Sequence, residues 1–201
     1  MRKIDNMVLH VADNVISRPL LEQAYSWCIS SSGAGWRFGD IADSNYEASK
    51  PYWGATILSS DRHDTDDPRD LKDTPPVIQE IWSTLEPRFL PVRYEIDNIF
   101  LNGQTYGLDS AIHEDTPGEE EGWYTALFYL NPEWHIDYGG ETLFYNQERT
   151  EIICAVVPKP GRMTFFDGRH PHWGRSPNRV FTDLRVTLSF HLKRLVDGPV
   201  P

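Results

Sequence analysis

From Leu184 to Leu192 hydrophobic and polar residues alternate without a break. Val186, Leu188, Phe190 and Leu192 fall on one face of the predicted strand, and Arg185, Thr187, Ser189 and His191 on the other, because successive side chains of a strand point to opposite faces. A face of Arg, Thr and Ser looks either into water or into a lined cavity. From Tyr94 onward further short strands are predicted: Y-E-I-D-N-I-F-L-N from 94, L-D-S-A-I-H-E-D from 108, Y-T-A-L-F-Y-L-N from 124, E-T-L-F-Y from 141, E-I-I-C-A-V-V from 151 and M-T-F-F from 163. Gly, Pro, Asn and Asp bound them. Short strands at this density predict a mainly β fold, a two-sheet barrel of the jelly-roll type.

The chain before Tyr94 has another period. Ser17, followed by Arg18-Pro19, reads as an N-cap with proline in the first turn of an amphipathic helix. Leu20, Leu21, Ala24, Trp27 and Cys28 form its expected buried stripe. Thr74-Pro75-Pro76 opens a second helix, with Val77, Ile78, Ile81, Trp82 and Leu85 as its core face. Residues 33–72 show no clear period and are expected to form a long surface segment, including the acid-rich D-R-H-D-T-D-D-P-R-D, where His63 reads as part of a solvated loop. Residues 1–93 are thus expected to be a helical and irregular buttress, and 94–201 the barrel core, of a single domain.

At 201 residues and 39% hydrophobic, the chain suffices for one full core. A net charge of −11 without a cluster of Lys and Arg sets an unfavourable mean field for duplex DNA or RNA. No apolar run approaches 18 residues, and no charged-then-apolar leader begins the chain, so a soluble cytoplasmic protein is expected. Cys28 and Cys154 sit among apolar residues and read as small buried hydrophobes, not as a disulfide.

Chemistry enters at His113-Glu114-Asp115. On a strand, His113 and Asp115 project together while Glu114 points away, so both reach one metal ion. A third imidazole from a distant strand completes a two-His-one-carboxylate facial triad with open positions on a non-haem Fe(II). Two candidates lie downstream, His170 and His172. Arg185 offers a planar fork suited to a carboxylate, with hydroxyls on the same strand face, which fits a dicarboxylate co-substrate.

These residues resemble the 2-oxoglutarate and Fe(II)-dependent oxygenases, and within them the prolyl 4-hydroxylase-like branch. The resemblance runs from about Asn98 to Leu192 and rests on H-E-D at 113–115, Y-T-A-L-F-Y-L-N at 124–131, Trp134, Gly139-Gly140 with Glu141-Thr142, F-F-D-G-R-H-P-H ending at His172, and Arg185 with Ser189. It implies a double-stranded β-helix (cupin-like) barrel, with the N-terminal helices as buttress. It implies iron on His113, Asp115 and His172. It also implies 2-oxoglutarate held by Arg185, assisted by Tyr129 and Ser189, with Thr125 and Leu127 lining the same pocket. The P-H-W-G at 171–174 favours His172 over His170, and the position of Arg185 inside the alternating strand favours it over Arg179 in the preceding turn.

The implied activity is hydroxylation of an unactivated C–H bond with release of succinate and carbon dioxide, using dioxygen and with ascorbate as a candidate reductant. By analogy the substrate is a prolyl residue in a peptide, with a small molecule as the rival. The segment Thr116 to Trp123, carrying three consecutive glutamates, is expected to overhang the metal and could attract a cationic peptide. Trp123, Trp134 and Trp173 are candidates for an aromatic rim. The competing class is a cupin-like metal-binding module that recognises a sugar or small acid without oxygenase activity.

Overall fold

The computed structural model describes residues 8–41, 50–60, 70–89, 93–116 and 121–195. Among these described residues ten strands and two α-helices follow in the order β1 (Leu9–Ala12), α1 (Arg18–Ile29), β2 (Arg37–Asp40), β3 (Tyr52–Ser59), α2 (Pro76–Phe89), β4 (Tyr94–Gln104), β5 (Trp123–Tyr129), β6 (Thr142–Tyr145), β7 (Ile152–Val156), β8 (Met163–Asp167), β9 (His172–Gly174) and β10 (Arg185–Arg194). They form a seven-stranded sheet, β1-β8-β5-β10-β4-β3-β2, and a three-stranded sheet, β7-β6-β9, with every pairing antiparallel. This is the expected jelly-roll, mainly β architecture.

The alternation along β10 sets the layers. Val186, Leu188, Phe190 and Leu192 join one core cluster with Leu20, Leu21, Ala24 and Cys28 of α1 and Val77, Ile78, Ile81, Trp82 and Leu85 of α2. Both helices therefore cover the outer face of the large sheet, and Trp82 packs on Phe190 with ring centroids 5.5 Å apart. Ser17 caps α1 through its hydroxyl, which accepts from Leu20 N–H at 3.4 Å. Trp27, expected in the stripe, is half-buried at its edge. The opposite face of β10 (Arg185, Thr187, Ser189) is equally buried, so it looks into a cavity between the sheets and not into water.

Two expectations are corrected. The first third of the chain is not only helical and irregular: it supplies β1, β2 and β3, three of the seven strands of the large sheet. β3 carries a register shift between Thr56 and Leu58, and it buries Gly54 with Ala55 and Ile57 with Leu58 as adjacent pairs instead of alternating strictly. A bulge of this kind erases the period by which strands are read. Of the acid-rich run, 61–69 with His63 lies outside the described residues. The second correction concerns residues 108–115, which form no strand; they meet the small sheet through an isolated bridge between His113 and His172 and a hydrogen bond from the Ser110 hydroxyl to the Gly174 carbonyl at 3.1 Å.

Candidate metal and co-substrate site

That bridge assembles the site. His113 N–H donates to the His172 carbonyl at 3.0 Å and His172 N–H to the His113 carbonyl at 2.9 Å, so two residues 59 positions apart in sequence stand directly opposite. Their imidazoles approach to 4.3 Å between centroids. Nδ1 of His113 lies 2.8 Å from the Ala111 carbonyl and Nδ1 of His172 lies 2.9 Å from the His170 carbonyl. A carbonyl only accepts, so each Nδ1 carries the proton and each Nε2 presents a lone pair. Both Nε2 atoms lie 3.6 Å from Oδ1 of Asp115. That is a separation suited to donors sharing one ion and too long for a hydrogen bond.

The donor atoms of His113, Asp115 and His172 all fall within 4.8 Å of one another. His170 is outside this group. It is buried, its ring lies against Phe144, and its carbonyl holds the His172 ring. Burial alone would raise the Asp115 carboxyl, but the neighbouring His172, His191 and His113 and the Thr125 hydroxyl outweigh it and hold Asp115 well below the usual carboxylate range. Burial pushes His172 down to about 4, against the opposing pull of Asp115. At neutral pH the site therefore offers an ionised carboxylate and a neutral imidazole, the forms a metal takes.

Next to this group is a cavity of about 230 Å3 whose lining includes Arg185, Thr187, Ser189, Gln104, Leu127 and Thr142. Arg185 is 2% exposed; its Nε donates to the Gly140 carbonyl at 2.9 Å and its Nη1 to Gln104 Oε1 at 2.8 Å. Nη2 is buried and has no hydrogen-bond partner among the described residues, a donor awaiting an acceptor. Burial lowers the guanidinium pKa, offset mainly by Tyr129 and Glu141. Gly140 takes φ +74°, and a Cβ there would stand 3.1 Å from Cδ and Nε of Arg185, so only glycine lets the arginine pass beneath this turn. Arg179, the rival, is exposed in the turn.

Ser189 and Leu127 line this cavity, whereas Thr125 and Tyr129 are not among its lining residues. Thr125 instead donates to Oδ2 of Asp115 at 2.5 Å, and Tyr129 stands behind the wall with its hydroxyl on Thr142 at 2.7 Å. The reason lies in register: Thr125 is opposite His191, six residues along β10 from Arg185, and so reaches the metal end of the face. Gln104, which clamps Arg185 while its amide donates to the Leu108 and Gly174 carbonyls, was missed; a lone glutamine at the end of a strand carries no periodic signal.

The three tryptophans form no single rim. Trp134 packs with Tyr138 and Phe181, Trp173 lies under Arg175, and Trp123 lies under Lys193 beside a second cavity. Residues 117–120 of the acidic segment lie outside the described residues, and Glu121 is exposed.

Residues 101–192 match the model of the 2OG-Fe(II) oxygenase superfamily. This part of the chain is therefore similar to 2OG-Fe(II) oxygenase domains, which supports a dioxygenase of the class that uses Fe(II), 2-oxoglutarate and dioxygen. A match to an oxygenase family weighs against the non-enzymatic cupin-like module.

Among solved structures the chain is similar to a Trichoplax adhaerens prolyl hydroxylase in complex with a hypoxia-inducible-factor peptide fragment (17% identity, TM-score 0.62, covering 92% of this chain and 83% of that one). It is also similar to a Pseudomonas putida prolyl-4-hydroxylase (15%, 0.61, 95% of each) and to the carbocyclase SnoK of nogalamycin biosynthesis (11%, 0.63, 94% and 80%). At these identities the likeness defines the fold. No curated protein matches the chain in sequence. Among the described residues no helix is long and apolar enough to cross a membrane.

Proposed function

We propose that His113, Asp115 and His172 hold Fe(II), that Arg185 holds the distal carboxylate of 2-oxoglutarate, and that the enzyme hydroxylates a prolyl residue in a peptide. The observation that carries the co-substrate reading is the buried Nη2 of Arg185, which has no partner among the described residues, on a guanidinium whose other two nitrogens already donate to Gly140 and Gln104. A carboxylate in the cavity gives it an acceptor and compensates its buried charge. Ser189 and Thr187 on the same face offer hydroxyls to the remaining lone pairs.

Fe(II), with 2-oxoglutarate and dioxygen bound, supplies the oxidising power for C–H hydroxylation as the co-substrate becomes succinate and carbon dioxide, with ascorbate as the proposed auxiliary reductant. The chain's share is to orient and enclose. Thr125 ties up Oδ2 of Asp115, leaving Oδ1 facing both imidazoles. Phe100, Tyr52 and Ile41 give the cavity apolar walls, a surface suited to a pyrrolidine ring. The prolyl hydroxylases with this fold, one of them solved with a peptide, support a peptide over a free small molecule; SnoK, described as a carbocyclase, shares the fold too, so the fold alone does not choose the substrate.

Anaerobic titration of the Fe(II) protein with 2-oxoglutarate, followed by the visible metal-to-ligand charge-transfer band of bidentate chelation, tests the co-substrate site. Arg185→Leu is expected to weaken binding at least thirtyfold, about 2 kcal/mol or more for truncating one side of a buried charge pair, while Arg179→Ala leaves it unchanged. The reverse pattern would move the carboxylate anchor to Arg179. Screening proline-containing peptides and free amino acids for substrate-dependent succinate release then tests the prolyl reading.

A further inference from the structure

One imidazole at the site, His191, lies outside the group proposed to hold the metal. It continues the polar face of β10 beyond Arg185, Thr187 and Ser189, opposite Thr125 of β5 and Asn98 of β4. Its Nε2 lies 3.8 Å from Oδ1 of Asp115, too far for a hydrogen bond, and it is outside the three-residue group whose donor atoms lie mutually within 4.8 Å. The Phe100 ring, 5.4 Å away between centroids, packs against its side. No hydrogen bond holds His191 among the described residues, although its side chain is only 21% exposed.

The polar face of β10 works as a ruler. At roughly 3.3 Å per residue, Ser189 is about 13 Å and His191 about 20 Å along the strand from Arg185. A co-substrate anchored on Arg185 would enter from the Arg185 end, and the other end of this face lies beside the Asp115 carboxylate. His191 stands at that end, and it lines both the metal cavity and the adjoining cleft of about 280 Å3 formed with Asp97, Asn98 and Trp123.

We infer that His191 is a positioning residue for an open coordination position of the metal: its Nε2 hydrogen-bonds the small ligand bound there, on the side from which the primary substrate arrives. The inference rests on the Fe(II) and 2-oxoglutarate reading above. An imidazole whose Nε2 stands 3.8 Å from the Asp115 oxygen that faces the other two histidines, beyond direct contact yet within reach of a shared third group, is placed for this role.

The test uses nitric oxide as the probe. Wild-type Fe(II) protein, His191→Phe and His191→Gln are titrated anaerobically with nitric oxide, with and without 2-oxoglutarate, and the iron-nitrosyl signal is read by electron paramagnetic resonance. Iron content and the 2-oxoglutarate charge-transfer band are recorded alongside. The expected result is full iron in all three, with nitric oxide bound roughly three- to tenfold more weakly by His191→Phe, the net worth of one hydrogen bond. The line shape of that variant should also change, and His191→Gln should restore the affinity.

Equal affinity and identical line shape in wild type and His191→Phe would overturn the inference. So would loss of iron from both variants, which would make His191 a ligand. A wild type that holds iron and nitric oxide but gives no 2-oxoglutarate band overturns the proposed function instead, and the comparison of the three proteins without co-substrate then decides the role of His191.

Discussion

Replacing Thr125 by valine isolates the hydrogen bond that orients Asp115. Thr125 is 1% exposed and its hydroxyl donates to Oδ2 at 2.5 Å; valine keeps the β-branched shape and removes only the donor. Among the described residues no other hydrogen bond to Oδ2 is present, so the carboxylate becomes free to rotate or to chelate through both oxygens. Partners of this kind are worth about 10- to 100-fold in metal affinity, or roughly 1.4–2.7 kcal/mol, and a hydrogen bond to a buried charge is worth about 1.5–3 kcal/mol.

The variant should therefore bind Fe(II) 10- to 100-fold more weakly in a competition titration against a chelator. The 2-oxoglutarate affinity of the iron-saturated protein should change less, since Thr125 is not part of the Arg185 cavity. Thr125→Ser, which keeps the hydroxyl, should stay within a few-fold of wild type. An unchanged Fe(II) affinity in Thr125→Val, or an equal loss in Thr125→Ser, would refute the orienting role and leave packing as the reason for this residue.

Gly140→Ala places a methyl 3.1 Å from the Arg185 side chain at φ +74°, a conformation that costs a non-glycine residue about 1 kcal/mol or more. It should raise the 2-oxoglutarate dissociation constant severalfold with iron content intact, and an unchanged constant would mean that the turn yields freely. Asp167 at the end of β8 provides a pH test. Burial raises its carboxyl, but hydrogen bonds and charge from Arg169 prevail and hold it below the usual 3.8; Arg169 Nε and Nη2 reach it at 2.9 and 2.7 Å. Its folded pKa is depressed, so its stabilisation is fully present above the unfolded value and is lost as pH falls through the folded one. Asp167→Asn should cost about 1–3 kcal/mol in urea unfolding at pH 7, and the gap to wild type should narrow only below about pH 4. A gap that stays constant through the acid range would assign the loss to packing.

The chain's own pattern determined the elements whose neighbours are their sequence neighbours. The alternation of 185–192 separated the helix-facing residues from Arg185, Thr187 and Ser189, because a strand's period of two is imposed by its own backbone whatever it packs against. The stripes of α1 and α2 were legible for the same reason. The spacing of His113 and Asp115, the match of the downstream motifs and the place of Arg185 inside a strand, with Arg179 in a turn, were also readable along the chain.

Only the tertiary structure decided what depends on register between distant strands. β3 escaped because its bulge breaks the period, and β2 because four exposed residues carry no pattern. The pairing of His113 with His172, the transfer of Thr125 from the co-substrate wall to the Asp115 carboxylate, the Gln104 clamp on Arg185 and the approach of His191 to the same carboxylate all follow from which residues face each other across β4, β10 and β5 and across the bridge to β9. Cross-strand register is a property of two segments at once, set by how the whole sheet closes on its core, and no single stretch of sequence contains it.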